Sequence, residues 1–374
     1  MIATYKAYKG IFKLSKFKPV LPNVAISTIS DSMPLNIPLN RLIVNLGLKE
    51  LNSLRSKPWM AIKKILGIPT TISANDIGFK IGPLINSANR VGNEELAFKL
   101  LIATDYKEAY IACEALQKLN TIRKNGQKAL LKLVKKDIDR KMYNHSVVML
   151  IETNLAINGV IASNIGDQEK VPTVCFNKVS GDQSILSGSG RGNITGINLL
   201  EIFKSIEAED KNILIKYGGH HGAAGCAIHD YNYNRFKELF NKYSKIQMDK
   251  LYIETKICID SYIPPSLITP SLIKSLYTIG PYGPKFDKPI LLTKIRVSMI
   301  GWYGSFVKLK FITDNGRELN GMLFVNGYTS FNEETVKKWK YNNTQILLAF
   351  TIDLDSFLGG LDIMIKVIDM KEII

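Results

Sequence analysis

The sequence predicts an α/β protein that continues into an all-β domain towards its C-terminal end. Three observations predict this. Strand and helix patterns alternate between residues 146 and 243, as an α/β domain requires. Helical periodicity runs almost unbroken from Glu94 to about Asp137. Beyond the cluster Gly280-Pro281-Tyr282-Gly283-Pro284, about five β-rich runs follow in roughly 90 residues, which fits a small barrel with the OB fold as first candidate.

Taken in order, the first segment, MIATYKAYKGIFKLSKFKP, is Lys-rich, with no apolar core and no small-residue cleavage site, so it is not a secretory signal. Tyr5, Tyr8 and Phe12 fall at helical spacing, either as an aromatic face packed on its own domain or as a basic amphipathic helix on a membrane surface. The apolar run Asn23 to Ile29 reads as a buried strand, ending at Ser30-Asp31-Ser32 ahead of Pro34. Asn40 to Leu54 reads as a helix with Leu42, Leu46 and Leu51 among its apolar positions, and Gly82-Pro83 as a break. In the long helical stretch, Leu96, Leu100, Ala109, Leu116, Leu130 and Val134 lie on one stripe, interrupted where Thr104 or Asp105 caps a second helix. Its second half carries Arg123, Lys124, Lys128, Lys132, Lys135 and Lys136, the basic face of a connector between domains or of an ordinary amphipathic helix.

The alternating region reads as strand at Ser146–Ile151 and Thr173–Phe176, and as helix at Ala156–Ile165, Leu199–Ile206 and Arg235–Tyr243. The final β-runs are Ile290–Ile300, Phe306–Thr313, Leu319–Val325, Gln345–Asp353 and Asp362–Ile368, with a hairpin turn at Asp314-Asn315-Gly316.

A chain of 374 residues, 46% hydrophobic and 22% charged, makes two or three domains with real cores. The formal charge of +16 points to a polyanionic partner, against the alternative of a merely solvated basic surface. No stretch approaches the ~18 consecutive apolar residues of a membrane span. Cys113, Cys175, Cys226 and Cys258 show no C-x-x-C spacing, so neither a zinc site nor a disulfide framework is expected. Each reads as a small buried hydrophobe in a reducing, cytoplasmic setting.

Two glycine-rich stretches stand out as candidate anion loops: Ser187-Gly188-Ser189-Gly190-Arg191-Gly192 and Gly218-Gly219-His220-His221-Gly222-Ala223-Ala224-Gly225. Glycine N–H groups, small hydroxyls and an arginine suit phosphate, whereas either stretch alone would also serve as a tight turn. His220 and His221 are candidate metal ligands or loop residues held by backbone hydrogen bonds, in a chain with only four histidines. Asp31 reads as a metal ligand, a catalytic base or a cap. Asn86 and Arg90 lie in a small-residue loop, with Arg90 free for phosphate or paired to Glu94 or Glu95.

The order of these segments resembles a known family. Thr28-Ile29-Ser30-Asp31-Ser32-Met33-Pro34-Leu35 is similar to the last acidic motif of the DHH phosphoesterases. G-P-L-I-N-S-A-N-R at 82–90 resembles the loop closing that domain in the RecJ-like single-strand-specific 5′→3′ DNA exonucleases. The long helix, S-G-S-G-R-G at 187–192 and G-G-H-H-G-A-A-G at 218–225 follow in the RecJ order, and G-P-Y-G-P-K-F-D-K-P at 280–289 resembles the entry to the RecJ OB domain. The resemblance implies five parts: the end of a DHH phosphoesterase domain at 1–92, a linker helix at 93–140, and an α/β DHH-associated substrate-binding domain at 141–248. A connector at 249–279 and an OB-like barrel at 280–374 complete them.

The departures shape the functional expectation. The D-x-D-G motif, a further Asp and the D-H-H triplet, which hold Mn²⁺ or Mg²⁺ in such enzymes, are not in this sequence, which reads as beginning after D-H-H and keeps only Asp31 of the metal set. Leu84 stands where the family usually has Arg, and Asn89 where it usually has Gly. One carboxylate cannot hold the metals that activate water. The expectation is therefore the C-terminal portion of a RecJ-like exonuclease, cleaving only if a separate polypeptide supplies the missing half. In it Asp31 completes the cage, and Asn86, Arg90, Ser189, Arg191, Gly218, Gly219 and His220 hold DNA phosphates. Trp302, Tyr303 and Phe306 are candidate base-stacking faces or barrel core. The alternatives are a non-catalytic single-strand-binding accessory protein and a hydrolase of small nucleotides.

Overall fold

A computed structural model describes residues 18–53, 56–69, 71–137, 145–153, 156–179, 181–192, 196–251, 256–303, 306–324, 331–354 and 363–373. Tyr5, Tyr8 and Phe12 lie outside the described residues.

Helix α1 spans Leu21–Ser30 and α2 spans Pro38–Asn52. The run 23–29 is thus helix, not the strand its apolarity predicts. Pro22 in the first turn has helical φ and no N–H to leave orphaned. The Ser27 and Thr28 hydroxyls donate back to the Val24 carbonyl at 3.0 and 2.7 Å. Ala25 is fully buried, and a Cβ on Gly47 of α2 would lie 2.3 Å from its Cβ. Periodicity cannot separate a short buried strand from a short buried helix, and here a glycine notch in the neighbouring helix favours the helix.

Helices α3 (Lys57–Ile65), α4 (Gly82–Arg90), α5 (Glu94–Ile102) and α6 (Tyr106–Asp137) follow. Residues 82–90 form a helix rather than a loop: Pro83 sits in its first turn and Leu84, Ser87 and Ala88 are buried. The Ser87 hydroxyl donates to Leu84 at 2.6 Å and lies 3.4 Å from the Leu116 carbonyl of α6. The expected interruption falls before α6, where the Asp105 carboxylate accepts from the Lys107 and Glu108 N–H groups at 2.7 and 3.0 Å.

The α/β layer runs β1 (Val147–Leu150), α7 (Asn158–Glu169), β2 (Thr173–Val179), β3 (Asp182–Arg191), α8 (Leu199–Glu209), β4 (Lys216–His220), β5 (Ala223–His229) and α9 (Tyr233–Asp249). Its sheet order is β1-β2-β3-β5-β4, with β1–β2 parallel and the other pairs antiparallel. Phe176, Phe203, Phe236 and Phe240 centre its core.

Strand β6 (Ser261–Tyr262) and helix α10 (Pro270–Ile279) lead into β7 (Leu291–Trp302), β8 (Phe306–Ile312) and β9 (Glu318–Phe324). Helix α11 (Glu333–Tyr341), β10 (Gln345–Leu354) and β11 (Ile363–Glu372) follow. The order β10-β11-β9-β8-β7, with β10 pairing back on β7, closes a five-stranded OB-like barrel around Phe311 and Phe350.

The chain divides into two interleaved compact units. One takes Met1–Asn52, Ile72–Gly78 and Thr255–Ile374, so α1, α2 and the barrel belong together. The other takes Ser53–Thr71 and Phe79–Glu254, which joins α3–α6 to the α/β layer. In the barrel unit, Leu35 is 1% exposed, its N–H donates to the Pro284 carbonyl at 2.8 Å, and the Arg41 guanidinium lies 4.0 Å over the Phe286 ring. No helix among the described residues is long and apolar enough to cross a membrane. Cys113, Cys175 and Cys226 are buried, while Cys258 is exposed rather than buried.

Candidate functional site

Neither glycine-rich stretch is a loop cradle. Residues 187–191 lie on β3, between β2 and β5, and their glycines face the core. A Cβ on Gly188 would lie 2.5 Å from the Phe176 ring and 2.9 Å from the Cys226 sulfur. The alternation of a strand then turns Ser189 and Arg191 to the opposite face. There Arg191 Nη1 donates to the Gly190 carbonyl at 2.8 Å and lies 3.3 Å from Ser189 Oγ.

The start of α7 rests on this pair. A Cβ on Gly159 would stand 2.4 Å from Arg191 Nη2 and 2.9 Å from Ser189 Oγ. No side chain caps α7 and no acidic residue lies in its first turn, so its positive dipole end meets the arginine without a compensating group of its own. Arg90, the last residue of α4, donates to the Ala156 carbonyl at 2.6 Å, in the segment leading into α7.

A third arginine joins from α6. Arg123 donates to Asn120 Oδ1 at 3.0 and 3.2 Å and to Gln127 Oε1 at 3.4 Å. Burial lowers the pKa of all three guanidiniums, and the charge of Arg90 lowers those of Arg123 and Arg191 further. All three remain cations at neutral pH. Among the described residues no carboxylate pairs with any of them. Arg90 thus repels both Arg123 and Arg191, all partly desolvated and with only neutral partners among the described residues, and planar guanidinium forks match phosphate oxygens. Sequence reading puts Arg123 on the basic face of the long helix, not beside Arg191, and misses Gly159; an Asn-Gly pair at a helix start is the available hint.

Residues 218–225 form the β4–β5 hairpin, with β4 at the sheet edge. Gly219 has φ +136°, and a Cβ there would lie 2.5 Å from the Ala223 carbonyl oxygen, so only glycine fits. The His221 and Gly222 carbonyls accept from the Leu199 and Gly192 N–H groups at 2.9 and 3.0 Å, tying the hairpin tip to the segment after Arg191. Gly218, His220 and His221 are exposed, as is Asn86 on α4.

In the barrel unit, Tyr303 and Phe306 stack at the β7–β8 end, with ring centroids 5.3 Å apart and 15° between planes. Lys308 Nζ lies 5.7 Å from the Tyr303 ring. Exposed Phe324, which sequence reading misses, lies opposite Phe306 in the β8–β9 register. Trp302 instead packs on the barrel core.

Asp31 follows α1, not a strand, and is exposed. Its N–H bonds to the Ser27 carbonyl at 2.9 Å. Among the described residues no group of three or more His, Cys, Asp or Glu side chains comes together as a metal site. A metal bound by Mn²⁺- or Mg²⁺-type chemistry needs several oxygen donors, and Asp31 with its surroundings does not fit that demand.

Comparison with known proteins adds three findings. Residues 259–369 match the RecJ OB domain family. The single-stranded-DNA-specific exonuclease RecJ of Salmonella typhimurium is 24% identical over 99% of this chain and 65% of its own length, and that of Escherichia coli is 25% identical over 91% and 59%. The chain therefore spans less than two thirds of these relatives. A crystal structure of RecJ from Thermus thermophilus in complex with Mg²⁺ covers 96% of this chain and 53% of its own, with TM-score 0.75 and 23% identity.

Proposed function

On the premise that the chain is RecJ-like in sequence and fold, we propose that it is the strand-holding C-terminal portion of a single-strand-specific 5′→3′ DNA exonuclease. The unpaired cluster of Arg90, Arg123 and Arg191 carries this reading. It receives the 5′-phosphate of a single strand, with Ser189 and the start of α7 as further donors. Gly218, Gly219 and His220 border the path, and Asn86 contributes from α4. Tyr303 and Phe306, extended by Phe324 and flanked by Lys308, stack bases on the barrel.

Cleavage is a separate matter. Phosphodiester hydrolysis of this kind uses Mn²⁺ or Mg²⁺, and the donor set here is too poor for either. A further half carrying the missing carboxylates and histidines would hold the metals, with Asp31 as this chain's contribution. The lone, exposed Asp31 also favours a second reading, a non-catalytic single-strand-binding accessory protein.

The test compares 5′-phosphorylated with 5′-hydroxyl single strands by fluorescence anisotropy. Arg191→Ala is expected to weaken the phosphorylated strand by about 1.5–3 kcal/mol, the scale of a charged hydrogen bond, and the hydroxyl strand far less. Equal loss on both contradicts end recognition. The 374-residue chain with Mn²⁺ is expected to bind without cutting. Cleavage by the chain alone that disappears in Asp31→Asn would overturn the division into a holding and a cutting half.

A further inference from the structure

We propose, resting on the end-holding reading above, that the groove between α6 and α7 is a second site that takes successive phosphates of the same strand beyond the arginine cluster. The groove has a volume of about 480 Å³. Lys124, Lys128 and Lys132 line one wall, Asn164 and Gln168 the other, with Gln127 and Leu131 between them. Spaced four residues apart, the lysines lie on one face of α6 and spread three charges over about 12 Å. Among the described residues no carboxylate lines the groove and none of the three lysines has an ion-pair partner. A solvated helix face fans its lysines into water; these border a concavity whose opposite wall is made of amides.

The position of the groove gives it direction. Arg123 stands at its head, and Gln127, which accepts from Arg123, is part of its lining. On α7, Gly159 touches Arg191 while Asn164 and Gln168 line the groove. On each helix, increasing residue number therefore leads from the arginines into the groove, over nine residues or about 13 Å. A strand gripped by its end at Arg191 meets a continuous run of positive charge along this line. Point charges on flexible stems suit a backbone that must slide, whereas the arginine forks suit an end that must be recognised. Leu131 offers sugars and bases an apolar contact.

The experiment measures binding across a salt series for the wild type, a Lys124→Gln/Lys128→Gln/Lys132→Gln variant and Arg191→Ala. The ligands are a 5′-phosphorylated strand of about 20 nucleotides and a 5′-phosphorylated dinucleotide, too short to reach the groove. The triple variant is expected to flatten the slope of log K against log salt on the long strand by about 2, three charges at ~0.7 each. Its dinucleotide binding should match wild type, while Arg191→Ala weakens both ligands. An unchanged long-strand slope overturns the proposal, as does equal loss on both ligands. Inorganic tripolyphosphate bound by wild type and lost in the triple variant, with the long-strand slope unchanged, would assign the groove to a free polyphosphate and also overturn it. If Arg191→Ala affects neither ligand while the triple variant still flattens the slope, the groove stands and end-holding falls. Should the triple variant melt early, Lys128→Gln alone is expected to remove about 0.7 from the slope.

Discussion

Single glycines in this protein do two different jobs, and substituting them separates stability from binding. A Cβ on Gly188 meets the Phe176 ring and the Cys226 sulfur deep in the sheet. Gly188→Ala is therefore expected to lower stability by about 1–3 kcal/mol in urea unfolding, the cost of overpacking. A Cβ on Gly159 meets instead the far end of the Arg191 side chain, which can swing aside. Gly159→Ala should leave the urea midpoint nearly unchanged yet weaken 5′-phosphorylated strands several-fold in anisotropy titrations, because the guanidinium is displaced. Arg191 and Ser189 are legible in the sequence as candidate phosphate ligands, but the purpose of the glycines between them is not. Sequence composition marks close approach without saying what approaches, and here the answer is an aromatic core, not a ligand. Arg123 is hidden because its side chain joins the cluster only through the tertiary contacts of α6.

At the level of elements, β10 carries a half-buried ion cluster that ties the barrel to its approach segment. Burial pushes the Asp353 carboxyl up, but hydrogen bonds from Lys288 at 2.8 Å and Lys366 at 2.6 Å outweigh it and leave the pKa below the ordinary value. The Tyr277 hydroxyl adds a bond at 2.8 Å. A depressed carboxylate stabilises the fold above its unfolded pKa, near 4, and loses that contribution as pH falls through the folded value. Asp353→Asn is expected to cost about 1–3 kcal/mol at neutral pH and to remove this part of the acid sensitivity, as chemical denaturation from pH 7 down to pH 3 would show. The barrel strands are legible because period-two alternation survives wherever one face is buried. Helix α11 is not, since Val336 and Trp339 are its only buried residues and charges fill most of the rest. Helix α1 reads as a strand for the opposite reason: a short, mostly apolar run has too few polar positions to fix its phase.

Across the whole molecule, sequence neighbours are not always partners. The segments reading as the end of one domain and the start of another, α1–α2 and the barrel, share one compact unit. Leu35 sits against Gly283, whose hypothetical Cβ would lie 2.8 Å from it. Leu35→Ala is expected to destabilise the barrel's unfolding transition by about 2–5 kcal/mol, the range for a buried leucine. Tryptophan fluorescence in a Trp59→Phe background would follow it, leaving Trp302 and Trp339 of the barrel as reporters. A barrel transition that ignores Leu35 would count against this joint unit.

The interleaving also has a consequence in time. A ribosome delivers the α1–α2 pair roughly 200 residues before the barrel segment that shares its unit. At about 5–20 residues per second, Leu35 waits roughly 12–50 s for the segment around Pro284 to emerge. The second unit, by contrast, has all of its chain once Glu254 has been made. Synthesis therefore finishes the α/β half before the barrel unit and leaves α1 and α2 with an unfilled contact, a window in which chaperone occupancy of nascent chains should peak.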